Sequence, residues 1–256
     1  VAPTLRQQQI LSHLQVHGKA AISELAAHLE VSDETIRRDI RGLSANGLVE
    51  KFHGGVRFST PRTEPPFERR LREAVEVKTA IARRAASYIR EGAAVLLDNS
   101  SSACFLAREL VHREPMTILT ISLEIAQIFW SDDNRHRVIL PGGEMRPSDR
   151  TLCGAGTIEF LKQFTPSYFV MSVVAGSPRG CFDFDLFEAE FKREMIPRAD
   201  ETILLLDSSK FEKSGLVHVC DWSQIDVLVS DQVPAEIVSE AEHCHLLLVP
   251  QEPDKS

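Results

Sequence analysis

No apolar run in this 256-residue chain approaches the roughly 18 residues that a bilayer crossing needs. The opening stretch, VAPTLRQQQ, has no apolar core behind a basic start. Neither a membrane span nor a secretory leader is expected, and a cytoplasmic protein is. The first residue is Val rather than Met, so residue 1 need not be the natural start. Cysteine is scarce and unpatterned. The five cysteines, at 104, 153, 181, 220 and 244, form no CxxC, and their number is odd. That argues against a zinc module and a disulfide framework, and for free thiols in a reducing compartment. No GxxxxGK[ST] occurs, which excludes a P-loop. Gly154-Ala155-Gly156 has Glu159 where a dinucleotide fingerprint needs its third glycine. Internal repeats and low-complexity tracts are missing too. What remains, 43% hydrophobic and 26% charged residues, is an ordinary globular composition of a length that suits a small domain plus a medium one.

Positive charge is also in short supply. The formal net charge is −8. It is unevenly spread. Residues 1–57 hold seven Lys/Arg and six Asp/Glu, a net of +1, which leaves 22 basic and 31 acidic residues, a net of −9, for the remainder. Bulk charge therefore does not mark a nucleic-acid binder, and any DNA contact must come from a local patch.

Such a patch lies near the N-terminus. A first helix fits 5–16, with Ile10, Leu11 and Leu14 on one face and His17-Gly18 as its stop. A second starts at Ser23 as N-cap and runs to about Leu29. A third starts at Ser32, with Asp33 and Glu34 where the helix dipole favours acids, and ends at Asn46-Gly47. At 100° per residue Ile36, Ile40 and Leu43 share one side of it, and Arg37, Arg38 and Arg41 the other. LVEKFHGGVRF then reads as two short strands around Gly54-Gly55, carrying Lys51, His53 and Arg57. Three short helices and a hairpin describe a winged helix-turn-helix whose third helix enters the major groove, with Ser32 and Thr35 suited to phosphates and base edges. Asp39 is the acidic exception. An ion pair orienting Arg38 or a neighbouring helix end accounts for it.

These residues resemble a known family. Arg6, Ile10, Leu14 and the run Ser32-x-x-Thr35-Ile36-Arg37-Arg38-Asp39-Ile40 look like the signature of the DeoR family of bacterial regulators, and Phe52-His53-Gly54-Gly55-Val56 looks like its wing. The spacing matches across residues 5–57.

Residues 58–67, FSTPRTEPPF, hold three prolines and no periodicity and read as a linker. A single long helix over 68–90 follows, with Leu71, Val75, Lys78, Ala82, Ala85 and Ile89 on one side and Lys78 its polar exception. Seven short apolar runs come next: AAVLLD, MTILTI, RVILPGG, YFVMSVVA, TILLLD, DVLVSD and HLLLV. Helical patterns at 102–112, 123–130, 155–164, 186–197 and 234–242 separate most of them, which predicts an α/β domain with a mostly parallel sheet covered on both faces. The organisation expected is thus a DNA-binding domain at 1–57, a connector at 58–74 and an α/β domain at 75–256.

Ligands of such sheets sit beyond the carboxyl ends of the strands. There Asp98-Asn99-Ser100-Ser101-Ser102 leads into a helix, an anion cradle of N–H groups and hydroxyls. N-capping alone would need one of them. Thr120 and Ser122, Gly142-Gly143, Lys192 and Lys210 complete the candidate set. Asp183, Asp185 and Glu188 could do acid–base work in an enzyme or hydrogen-bond sugar hydroxyls without chemistry, but solvated acids or helix N-terminal charges account for them. His243 and His245 share a strand face without a third ligand, so no metal is expected. Glu64-Pro65-Pro66-Phe67-Glu68-Arg69-Arg70, the paired glycines, EAEFK and DSSKF resemble the effector domain of the same family. The resemblance implies a fold akin to ribose-5-phosphate isomerase and glucosamine-6-phosphate deaminase, and a phosphorylated sugar or sugar acid as effector. It also implies that the Asp98–Ser102 loop and Lys192 hold that ligand. The loop departs from the family's usual Asp-x-Gly-Thr-Thr, and Thr120-Ile121 stands where an Asn is common.

The expected protein is a cytoplasmic, homo-oligomeric regulator, a dimer or tetramer, that represses a carbohydrate operon without an enzymatic activity or a cofactor. The alternatives are a sugar-phosphate isomerase or deaminase with an appended helix-turn-helix, and a helix-turn-helix used for protein contacts.

Overall fold

The computed structural model describes residues 4–17, 19–45, 49–52, 54–58, 64–130 and 135–249. They form two compact units, divided between Thr63 and Glu64.

The first unit contains α1 (Leu5–His17), β1 (Lys19–Ala21), α2 (Ile22–His28), α3 (Asp33–Ala45), β2 (Val49–Phe52) and β3 (Gly55–Phe58). Ile10, Leu14, Leu25, Ile36, Ile40, Leu43, Val49 and Val56 are its core, so the apolar stripe of α3 faces α1 and the hairpin. Two details differ from expectation. The second helix starts at Ile22, one residue before Ser23, and the Glu24 carboxylate accepts from the Ala21 N–H at its start. The segment before it, β1, pairs antiparallel with β3 and makes the hairpin a three-stranded sheet. Three residues are too few to show a period.

The second unit opens with α4 (Phe67–Arg70) and α5 (Val75–Tyr88). The single helix expected over 68–90 is broken between them, where Ala74 is left-handed at φ 51°. Phe67 is buried, and the Lys78 ammonium donates to the Arg70 carbonyl at 2.5 Å, which ties the two pieces across the break. Strands and helices then alternate: β4 (Ala94–Leu97), α6 (Ser101–Leu110), β5 (Thr117–Thr120), α7 (Leu123–Trp130), β6 (Arg137–Ile139), β7 (Glu144–Arg146), β8 (Thr151–Cys153), α8 (Ala155–Leu161), β9 (Tyr168–Met171), β10 (Ala175–Ser177), β11 (Gly180–Asp183), α9 (Leu186–Met195), β12 (Glu201–Leu205), β13 (Val217–Cys220), β14 (Val227–Ser230), α10 (Ala235–Glu240) and β15 (His245–Leu248).

Seven strands make one parallel sheet in the order β15-β14-β12-β9-β4-β5-β6. These are the seven apolar runs of the sequence. Alternation along each strand splits the core. Val95, Leu97, Ile118, Val170, Ile203 and Val229 pack on α5, α6 and α7, while Leu96, Leu119, Phe169, Leu204 and Leu228 pack on α8, α9 and α10. The small antiparallel pieces, β7-β8 and β10-β11-β13, were not anticipated. Among the described residues no helix is long and apolar enough to cross a membrane.

Candidate functional site

In the first unit, burial of Ile36, Ile40 and Leu43 turns the opposite side of α3 outward, and Arg37, Arg38 and Arg41 are exposed. The arginines are not equivalent. Arg41 is held at 2.8 Å by Glu34 and also donates to the Arg37 carbonyl, and Arg57 is held at 2.6 Å by Glu50. Arg37, Arg38 and Lys51 have no side-chain partner among the described residues. Ser32 accepts from the Thr35 N–H at 3.3 Å, so it caps α3, and its hydroxyl meets that of Thr35 at 2.9 Å. Asp39 pairs with Arg6 at the start of α1 rather than with Arg38. It anchors α3 to α1 and leaves Arg38 outward. A groove of about 330 Å³ between α3 and the hairpin is lined by Arg37, Arg41, Lys51 and the exposed Phe52. His53 lies outside the described residues.

In the second unit the strand ends converge on a buried polar cluster. Asp98 follows β4 and is fully buried. Its carboxylate accepts from the N–H groups of Ser100 and Ser172, both at 2.9 Å, and lies 3.6 Å from the Lys192 ammonium. Lys192 reaches back from α9, is 2% exposed, and donates to Asp183 at 2.7 Å. Burial lowers its basicity, but the charges of Asp183 and Asp98 prevail, so the ammonium is held above its usual range. Lys192 is thus paired with both Asp183 and Asp98, the latter one of the loop residues that the resemblance assigns to the ligand. Asn99 donates to Asp149 at 3.2 Å and to Glu188 at 3.0 Å, and its own amide oxygen is buried without a partner. Arg146 bridges Asp149, Asp185 and Glu188. Burial pushes the Glu188 carboxyl up to about 7, with Asp183 and Glu64 adding to the effect against Lys192 and Asn99. Asp149 feels burial too, but the Arg146 guanidinium wins and holds it below the usual range. Asp183 and Glu188 are therefore not solvated acids. Asp185 is a helix N-terminal charge: it caps α9 by accepting from the Glu188 N–H.

The hydroxyls of the loop divide their work. Ser100 caps α6 by accepting from the Ala103 N–H at 3.1 Å. Thr120 accepts from Ser122 N–H, and Ser122 accepts from Ile125 N–H at the start of α7. The hydroxyls and N–H groups of Ser101 and Ser102 have no partner among the described residues. Gly143 has a structural reason of its own. At φ 154° a Cβ there would lie 2.3 Å from the Thr157 hydroxyl and 2.6 Å from the Cys153 carbonyl.

Three more cations gather beside this cluster. Lys210 follows β12 and donates to the Val173 carbonyl at 3.1 Å. Burial lowers the Lys78 ammonium to about 8, and its neighbours Lys210 and Arg70 contribute in the same direction. Arg70 pairs with Glu64 at 2.9 Å, and its Nε is buried without a hydrogen-bond partner.

Residues 6–62 match the DeoR-like helix-turn-helix domain, and residues 73–232 match the DeoR C terminal sensor domain. The HTH-type transcriptional repressor CsqR of Escherichia coli strain K12 is 32% identical over 96% of this chain and 95% of its own. This chain belongs to the DeoR family. The glycerol-3-phosphate regulon repressor of the same organism is 28% identical, over 90% of this chain and 92% of its own. Among solved structures, ribose 5-phosphate isomerase A of Methanocaldococcus jannaschii is 14% identical over 54% of each chain, with a TM-score of 0.40.

For this DeoR-family chain the sequence missed four contributors to the sensor-domain cluster: Arg146, Asp149, Arg70 and Glu64. Arg146 and Asp149 lie in a glycine-flanked stretch of mixed charge that reads as loop. Arg70 looked like one more charge in ERRLRE. Lys78 alone left a trace, as a polar residue on an apolar helix side.

Proposed function

We propose that this protein binds operator double-stranded DNA through α3 and the β2–β3 wing, and represses a carbohydrate operon as a cytoplasmic homo-oligomer. Operator release or retention is set by a phosphorylated sugar or sugar acid in the strand-end cluster of the second unit. The observation that carries the DNA reading is the pair Arg37 and Arg38, exposed on α3 and unpaired beside the groove that Lys51 lines. A helix-turn-helix presents such side chains to base edges and phosphates in the major groove. One small module binds weakly, and two on adjacent half-sites gain contact area and effective concentration, which supports an oligomer.

The ligand reading rests on the unpaired hydroxyls and N–H groups of Ser101 and Ser102 at the start of α6, and on the nearby Lys210, Lys78 and Arg70. Amides at a helix start and a point cation are the usual recognition set for a phosphate. Lys192 sets the geometry from behind by holding Asp98. The test is operator selection from a random DNA pool, followed by binding titrations at several salt concentrations with and without phosphorylated sugars. A log–log salt slope near zero, or equal response to a free sugar and its phosphate, overturns the reading. Turnover of aldose or ketose phosphates by the protein would favour the isomerase or deaminase alternative instead.

A further inference from the structure

Glu64 is the first described residue of the second unit, and it stands on the connector that comes from the helix-turn-helix. Its carboxylate makes a 2.9 Å ion pair with Arg70, and the two side chains are only 19% and 11% exposed. A charge so far removed from water needs a reason. The surroundings provide one. Arg70 touches Lys78 through its carbonyl, and Lys210 is close enough to Lys78 to lower its basicity. Glu64 is close enough to Lys210 to oppose the lowering that burial causes there, and close enough to Glu188 to help raise it. One carboxylate from the connector thus sits beside Arg70 and close to Lys210, at the edge of the cluster built from Asn99, Asp149 and Glu188. The buried Arg70 Nε still lacks an acceptor, so a single carboxylate leaves this position incompletely satisfied.

We propose that Glu64 is a built-in competitor for the effector's anionic group: in the unliganded protein its carboxylate occupies the position formed by Arg70 and Lys210, and a phosphate monoester displaces it. This rests on the reading of the sensor domain as a phosphate binder. A phosphate dianion carries twice the charge and more acceptor oxygens than a carboxylate, and can serve Arg70 on two nitrogens at once. Displacement frees Glu64 and the start of α4. In the chain only residues 59–63 separate Glu64 from β3.

The experiment uses the full chain and inorganic phosphate as the probe, with wild type, Glu64→Gln, Glu64→Ala and Lys210→Ala. Affinity is read by calorimetry, and release of α4 by hydrogen exchange of the Arg70 and Leu71 amides, which are bonded to Pro66 and Phe67. If the occupied state holds about nine-tenths of the wild-type population, removing the carboxylate tightens phosphate binding about tenfold. Both Glu64 variants are expected to show that gain, Lys210→Ala a loss, and wild type faster exchange of α4 when phosphate is added. Thermal melts of both Glu64 variants confirm that the fold is kept, and Glu64→Gln retains a hydrogen-bonding partner for Arg70. Phosphate binding that depends on Lys210 but is unchanged or weaker in both Glu64 variants overturns the competitor and leaves the phosphate reading standing. No phosphate binding by any variant overturns both.

Discussion

Cations in the two units live under opposite conditions. On α3, Arg37 and Arg38 are exposed and unpaired among the described residues, while in the sensor domain Lys192 is 2% exposed and held by Asp183 and Asp98. A charge in water costs the fold little and is available to a partner. A charge in the interior must be neutralised by the chain itself, and its removal strands the groups that neutralised it. The first arrangement is the one the proposed DNA contact requires, and the second holds the fold together.

The largest expected difference comes from deleting one cation of each kind. Lys192→Ala leaves two buried carboxylates without a counter-charge and should cost about 3–5 kcal/mol in urea unfolding, whereas Arg37→Ala should change stability by no more than about 0.5 kcal/mol. Equal effects would dissolve the contrast. Next in size is DNA binding. Arg37→Ala or Arg38→Ala should lose about 1–3 kcal/mol of operator affinity if the side chain reads a guanine. If it contacts phosphate, the loss should be uniform across sequences and the salt slope should fall by about one. Unaltered affinity in both variants would move the interface elsewhere. A smaller effect belongs to the sensor loop. Ser100→Ala removes the cap of α6 and should cost about 1 kcal/mol, measurable as a shift in the unfolding midpoint.

Titration sharpens the comparison further, because two groups in the sensor-domain interior are displaced far from their ordinary values. Glu188 is raised from 4.5 to about 7, so between those values the folded protein holds a proton that the unfolded chain has released. Stability should therefore decline as pH rises through that window, and Glu188→Gln should flatten the decline in pH-dependent melts. Lys78 is lowered from 10.5 to about 8, so the unfolded chain holds the extra proton there, and stability should rise with pH across that range. An anionic ligand restores the charge on Lys78. Phosphate binding should then be accompanied by proton uptake between about pH 8 and 10.5, seen as a dependence of the binding heat on the buffer's ionisation enthalpy.

Much of the architecture was legible because it rests on periodicity. The seven apolar runs became the seven-stranded sheet, and the split of Ile36, Ile40 and Leu43 from Arg37, Arg38 and Arg41 oriented α3 correctly. Short antiparallel pieces such as β1 and β7–β8 were invisible, since three residues cannot display a period. The break at Ala74 was also hidden, because alanine favours helix and nothing around it signals a turn. In the sensor domain Asp98 and Ser100 were readable as strand-end residues and Lys192 as a helix residue, but their partners were not. Lys192 meets Asp98 across 94 residues of chain.

By itself the sequence determined the helix-turn-helix, the parallel sheet and the outward arginines. Each follows from the local order of apolar and polar residues, and local order is what a period of 2 or 3.6 records. Tertiary structure alone decided which charges are spent inside the molecule and which are left for a partner. It paired Arg6 with Asp39 and Lys192 with Asp183, stacked Arg146 against three carboxylates, and set Glu64 beside Arg70. Pairing of this kind depends on distance in space and on burial. A lysine that looks like any other in the sequence becomes a fixed internal counter-ion only when the sheet brings two carboxylates to it and excludes the water.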